Sequence, residues 1–332
     1  MPTFTVYKGS ESGKITKAQT TRDLQGDAVL VKVTASGVCG TDEHYKHADM
    51  ALGHEGVGVV EEVGSAVRTL KKGDRVGWGY EHDSCGECEY CLTGREQYCP
   101  DRKIYGMADF DQGSFASHGV WREAFLFKIP DAITDIDAAP LMCGGATVFN
   151  ALTAAGVKPT DRVGIMGVGG LGHLAIQFAA KMGCDVVVLS GTDSKKDEAL
   201  KLGASDFIAM KGKDQIDVGK KIDSLIITTS AMPDWKVVLP ALAPTASILP
   251  LTVSEGDFSF PQNPLILGGH TVYGIAVSPR AVHRQMLAFA AHHNIKPVVM
   301  KFPMSEEGIE DCMGTLRDGK MRYRGVLVPQ QA

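Results

Sequence analysis

What this sequence lacks narrows the reading first. No apolar run approaches the roughly 20 residues that a membrane-spanning helix needs. Positive charge is in short supply: 34 Lys and Arg face 39 Asp and Glu, a formal net charge of −5. That balance argues against a nucleic-acid surface, which needs a basic face. Met1–Ser10 has no basic patch followed by an apolar stretch, so no secretory signal is expected and the cytoplasm is the expected location. Internal repeats and low-complexity segments are missing too. What remains is 332 residues, 44% hydrophobic and 22% charged, enough for two domains with cores of their own.

The texture changes along the chain. Up to about residue 140 short β-type stretches alternate with glycine turns: Ala28–Ala35, Glu55–Val63 and Asp74–Trp78. From about residue 146 strands and helices alternate. Arg162–Met166 predicts a strand, Gly170–Met182 a helix, and Asp185–Leu189 the next strand; Ser224–Thr229 and Ala246–Leu251 follow. That order implies a doubly wound parallel sheet. After about residue 278 the pattern is mixed again, ending in Gly325–Val328.

Eight cysteines are present, and four of them, Cys85, Cys88, Cys91 and Cys99, fall within 15 positions. Thiols in the cytosol stay reduced, so this clustering suggests metal rather than disulfides. Four thiolates at such spacing can wrap one tetrahedral zinc. The shell is then closed, so the site should order a lobe and not catalyse.

The strand Arg162–Met166 runs into Gly167-Val168-Gly169-Gly170-Leu171-Gly172. This is the dinucleotide fingerprint in its required strand-to-helix context. Gly167 permits the turn, Gly169 lets backbone approach a pyrophosphate, and Gly172 lets helix and strand pack closely. NAD binders place an acid after the second strand, for the ribose 2′-hydroxyl. Ser190 stands there, followed by Gly191, Thr192, Asp193, Ser194, Lys195 and Lys196. Ser190, Gly191, Thr192 and a lysine, Lys195 or Lys196, suit a 2′-phosphate and therefore NADP. Asp193 keeps NAD open as the alternative.

Cys39 and His54 lie at the ends of β-type stretches, with Cys143 in the stretch Pro140–Thr147. Singly they carry little. With the four-cysteine loop and the fingerprint, the chain resembles the zinc-containing medium-chain alcohol dehydrogenases, most closely the cinnamyl and yeast-type branch, over essentially its whole length. The resemblance implies a chaperonin-10-like β-barrel catalytic domain (residues 1–144 and 279–332) and a Rossmann cofactor domain (145–278), with the active site in the cleft between them. It implies two zinc ions per chain, the catalytic one on Cys39, His54 and Cys143, with Glu55 as a nearby acid and Asp42 behind His54. Thr41 would take the alcohol proton and pass it by way of the ribose to His44. Thr147 would pack on the nicotinamide, Arg324 would reach the pyrophosphate, and Tyr80 would line the substrate pocket. A homodimer or homotetramer is implied, with Ala246–Leu251 and Thr271–Val277 as candidate edge strands.

The expected reaction is hydride transfer between NADP(H) and a primary alcohol or aldehyde. The alternatives are an NAD-dependent polyol or secondary-alcohol dehydrogenase and a zinc- and nucleotide-binding structural protein. Cys143 favours simple alcohols, because polyol dehydrogenases of the superfamily often carry an acid there. Zinc-free quinone or enoyl reductases of this fold generally lack both cysteine sets. One departure stands out: the loop Tyr45–Leu52 is short, and Leu52 stands where the family usually has proline.

Overall fold

The computed structural model describes residues 1–253 and 256–330. It divides into two compact units, Met1–Ala146 with Val277–Ala332, and Thr147–Ala276.

The first unit is organised on the 11-residue strand Ala28–Val38. Its β-branched residues make it stiff and suited to a pleated, half-buried surface. It pairs antiparallel with Gly56–Val63, His118–Arg122 and Arg324–Val328. Val299–Pro303, Arg75–Trp78 and Phe127–Lys128 extend the sheet to seven strands. Val29, Val31, Val33 and Val38 point into a core shared with Leu52, Trp78, Phe115, Ile309 and Leu327. Each such side chain removed from water contributes roughly 1.5–3 kcal/mol. Leu52 earns its place twice: it is fully buried, and its N–H donates to the Tyr7 carbonyl at 2.9 Å. A proline at that position would have no N–H to give.

The second unit is a six-stranded parallel sheet. Its order is Asp206–Ala209, Asp185–Ser190, Arg162–Met166, Ile222–Ile227, Leu242–Pro250, Thr271–Val272. All five residues of Arg162–Met166 are buried, as expected for a parallel strand covered on both faces. The strand order reverses between Arg162–Met166 and Ile222–Ile227, the place where open α/β sheets bind ligands. The helix after the glycine loop spans Gly172–Lys181, two residues shorter at its start than the sequence suggests.

One expectation is corrected here. Ala246–Leu251 is not an edge, because Leu242–Pro250 lies between Ile222–Ile227 and Thr271–Val272. Its apolar character reflects burial on both sides. The other candidate, Thr271–Val277, does contain an edge, Thr271–Val272, only two residues long and exposed; Asp206–Ala209 is the opposite edge. Among the described residues no helix is long and apolar enough to cross a membrane.

Candidate active site

Cys39 follows the last residue of the strand Ala28–Val38 and precedes the short helix Gly40–His44. Its N–H donates to Asp42 Oδ2 at 2.8 Å, so the chain turns sharply and presents the thiol. His54 precedes the neighbouring strand Gly56–Val63. Cys143 arrives differently. It sits in a single π-helical turn, Leu141–Gly145, between the α-helices Asp135–Pro140 and Ala146–Ala154. Such wide turns are rare and frequent at functional sites. Pro140 and the Gly144-Gly145 pair are the sequence signal for it.

These three segments bring together Cys39, His54, Glu55 and Cys143, one ligand atom of each lying within 4.8 Å of the others. The His54 imidazole is oriented by Asp42, whose Oδ1 lies 3.0 Å from Nδ1. Nε2 is left buried and without a hydrogen-bond partner. A buried nitrogen acceptor beside two thiols needs a cation, and one imidazole with two thiolates is a catalytic zinc set with a position to spare. The Cys143 hydrogen bond is the main influence holding the Cys39 thiol well below its ordinary value, and Cys143 is pushed up in return.

Glu55 is fully buried. Burial pushes its carboxyl up to about 7, against the opposing pull of Arg324. Arg324 itself is only 5% exposed, and its guanidinium pairs with Glu55 Oε1. Arg324, implied by the resemblance for the pyrophosphate, here has its charge on this buried acid. Gly37 is required here by space: a Cβ would lie 1.9 Å from Glu55 Oε2.

Thr41 Oγ1 lies 3.7 Å from the Cys39 sulfur. His44, at the end of the same helix, is exposed. Tyr80 is half-buried and meets the His54 ring edge-on at 5.5 Å. Tyr105, which no motif singles out, is 5% exposed and lies against the same ring, centroids 4.7 Å apart and tilted by 31°. Its hydroxyl accepts from Gly53 N–H at 3.0 Å. Burial, with Asp42 adding, holds the phenol well above its ordinary value, so it keeps its proton.

The second cysteine group, Cys85, Cys88, Cys91 and Cys99, also converges within 4.8 Å. Sulfur separations are 3.9 Å for Cys85–Cys91, 3.6 Å for Cys88–Cys91 and 3.5 Å for Cys85–Cys99. Beside it two acids are buried, Glu81 and Glu96. Glu96 accepts from the backbone N–H and Nε of Arg280, both at 2.8 Å. Glu81 Oε1 has no partner. Burial pushes Glu81 from 4.5 up to about 8, with Glu96 and Asp83 adding and Arg280 and Arg102 opposing. The folded state therefore binds this proton more tightly than the unfolded state. Stability from this group is full at low pH and declines as pH rises between about 4.5 and 8. Glu81→Gln should remove that slope. Its melting temperature should exceed wild type by a few degrees at pH 8.5 and by less at pH 6. An equal difference at both pH values would rule Glu81 out as the titrating group.

In the second unit, Gly167 adopts φ 93°, in the left-handed region. Thr228 Oγ1 ties the loop down by donating toward the Met166 and Gly167 carbonyls, at 2.9 and 3.1 Å. Gly172 is required by packing, since a Cβ would lie 2.0 Å from the Gly167 carbonyl oxygen. A Cβ at Gly169 would meet nothing within 4 Å, so the protein's own packing does not explain that glycine. Gly170 and Leu171 are half-buried at the mouth of the loop, and Thr147 is buried in the helix Ala146–Ala154. The second strand ends at Ser190. Gly191 and Thr192 are exposed, and a Cβ at Gly191 would likewise meet nothing. Lys195 is half-buried, and its Nζ donates to the Val168 carbonyl at 2.6 Å.

The comparisons with known proteins agree with this geometry. Residues 25–131 match the alcohol dehydrogenase GroES-like domain, and residues 170–292 match the zinc-binding dehydrogenase family. An alcohol dehydrogenase from Geobacillus stearothermophilus is 34% identical over 92% of each chain. The chain belongs to the zinc-dependent medium-chain alcohol dehydrogenases. A cinnamyl alcohol dehydrogenase structure from Sorghum bicolor superposes with a TM-score of 0.89 at 31% identity, covering 98% of both chains. A cinnamyl alcohol dehydrogenase from Helicobacter pylori, complexed with NADP(H), does so with a TM-score of 0.87 at 25% identity, again covering 98% of both. The enzyme is thus an oxidoreductase with GroES-like and Rossmann folds, a zinc requirement, a nicotinamide cofactor and small-molecule substrates.

Proposed function

We propose that the enzyme interconverts primary alcohols and aldehydes with NADP(H) as the preferred cofactor. The observation that carries the cofactor choice is the end of the second strand: Ser190 closes it, and open space follows at Gly191. A carboxylate there would repel a 2′-phosphate; a hydroxyl can donate to it. Asp193 is exposed in the turn Asp193–Lys195, beyond the strand end. Lys211, which the sequence reading passed over, supports the same choice. Its N–H donates to the Gly191 carbonyl at 3.1 Å, and its side chain is exposed. The H. pylori relative bound to NADP(H) is consistent with this.

Cys39, His54 and Cys143 would hold the catalytic zinc, and Cys85, Cys88, Cys91 and Cys99 the structural one. When bound, the catalytic zinc supplies a Lewis acid for the alcohol or carbonyl oxygen, and the nicotinamide takes or gives the hydride. The chain's own part is positioning and proton handling. Asp42 keeps the His54 proton on Nδ1, so Nε2 offers its lone pair. Thr41, two residues from Cys39, is placed to take the alcohol proton, and exposed His44 to release it to water. Glu55 would assist exchange at the metal, and Tyr80 would line the substrate pocket beside His54. The glycine loop Gly167–Gly172 would take the pyrophosphate at the helix start, and Thr147 would pack on the nicotinamide.

A homodimer is the proposed assembly, in the cytoplasm. The exposed edge Thr271–Val272 and the nearby helix Gln262–Gly268, with Ile266 64% and Leu267 85% exposed, form its candidate surface.

Reduction of one aldehyde with NADPH and with NADH tests the proposal. NADPH should be preferred by roughly 10-fold or more in kcat/KM, the size of one or two charged hydrogen bonds after desolvation. Parity or an NADH preference would overturn the cofactor assignment; no turnover with any alcohol or aldehyde would overturn the substrate class.

A further inference from the structure

We propose that Tyr105 is a positioning residue for the catalytic metal, delivered to that site by the four-cysteine lobe. The inference rests on reading Cys39, His54 and Cys143 as metal ligands. Two of its contacts converge there. The hydroxyl accepts from Gly53 N–H at 3.0 Å. The ring lies against His54, 4.7 Å between centroids. From Nδ1 the imidazole is held by the fully buried Asp42 at 3.0 Å. Tyr105 thus fixes the backbone immediately before His54 and covers one side of its ring, so the imidazole has little freedom to rotate.

The lobe explains how Tyr105 arrives. Strands Glu81–Asp83 and Lys103–Ile104 pair antiparallel on either side of the Cys85–Cys99 loop. Tyr105 follows that ladder directly, and its N–H donates to the Tyr80 carbonyl at 2.9 Å. Closing the lobe therefore sets the register of Tyr105 against Tyr80 and His54. A metal centre that is itself chemically closed thereby acts on the reactive one through a main-chain ladder and one phenol.

Tyr105→Phe keeps the ring and removes the hydroxyl, leaving Gly53 N–H without its partner in a buried place. The test uses the two-zinc holoenzyme and follows zinc release to a chelator. In Tyr105→Phe the catalytic zinc should leave about 10-fold faster or more, the range seen when partners behind a ligand are lost. Release from the four-cysteine site should be unchanged. Cobalt placed at the Cys39, His54 and Cys143 site should show a shifted visible absorption band in the variant. Tyr105→Leu, which removes the ring as well, should release zinc faster still. Wild-type release and an unaltered cobalt band in Tyr105→Phe would overturn the proposal. A wild-type chain that holds only one zinc would overturn the metal-site reading together with it.

Discussion

Cys39→Ser should give a folded protein that holds one zinc instead of two and turns over at least about 1,000-fold more slowly. The loss follows from what a bound Lewis acid contributes to a developing alkoxide, several kcal/mol, at about 1.36 kcal/mol per tenfold in rate. The fold should survive, because the segment carrying Cys39 is held by other forces. It closes the 11-residue strand Ala28–Val38, paired with three neighbours, and its N–H is capped by Asp42. Cys88→Ser should do the opposite to stability. Between Cys85 and Cys99 only Cys91, Glu96, Gln97 and Cys99 are buried, whereas Tyr90, Leu92 and Tyr98 are exposed. That lobe has no apolar core of its own, so metal binding supplies its folding free energy. Metal analysis and thermal melts on both variants decide the matter. Loss of one zinc in each, with equal melting temperatures, would show that the two sites do not divide the work in this way.

How far the sequence could reach depends on whether the signal is local. The fingerprint Gly167–Gly172 was legible because all of its parts are consecutive, and the strand before it ends where the glycines begin. The four-cysteine lobe was legible from spacing alone, since a short loop cannot hold four thiols apart. The Arg324–Glu55 pair was not: it spans 269 positions and depends on the strand Arg324–Val328 lying beside Ala28–Val38. Tyr105 carried no motif, and only the folded ladder brings it to His54. Lys211 was hidden for the same reason. It follows Asp206–Ala209, whose parallel pairing with Asp185–Ser190 puts the two strand ends side by side. Of the two candidate edge strands, Ala246–Leu251 was misassigned because it is apolar from burial on both sides, and periodicity cannot tell a buried strand from an edge awaiting a partner.

Ser190→Asp should move the enzyme from NADP toward NAD, lowering the ratio of kcat/KM for NADPH over NADH by about 100-fold. Two effects add. The 2′-phosphate of NADP carries close to two negative charges at neutral pH, and a carboxylate placed against it is repelled. The same carboxylate accepts hydrogen bonds from the ribose hydroxyls of NAD. A hydrogen bond to a charged group is worth about 1.5–3 kcal/mol, and about 1.4 kcal/mol is tenfold, so losing one contact and gaining one repulsion reaches two powers of ten. Position 190 can take the longer side chain: Ser190 is half-buried at the strand end, and open space follows at Gly191. Its carbonyl, which accepts from Met210 N–H at 2.7 Å, is untouched by the substitution. Lys211→Ala provides the complementary measurement. It removes a cation from the same strand end without adding an acceptor, so NADPH should weaken while NADH holds steady. Dissociation constants for the two reduced cofactors, read from quenching of protein fluorescence, separate binding from turnover. Equal losses for both cofactors in Ser190→Asp would mean that the substitution had deformed the loop rather than altered its charge, and the assignment of the 2′-phosphate to this strand end would fall.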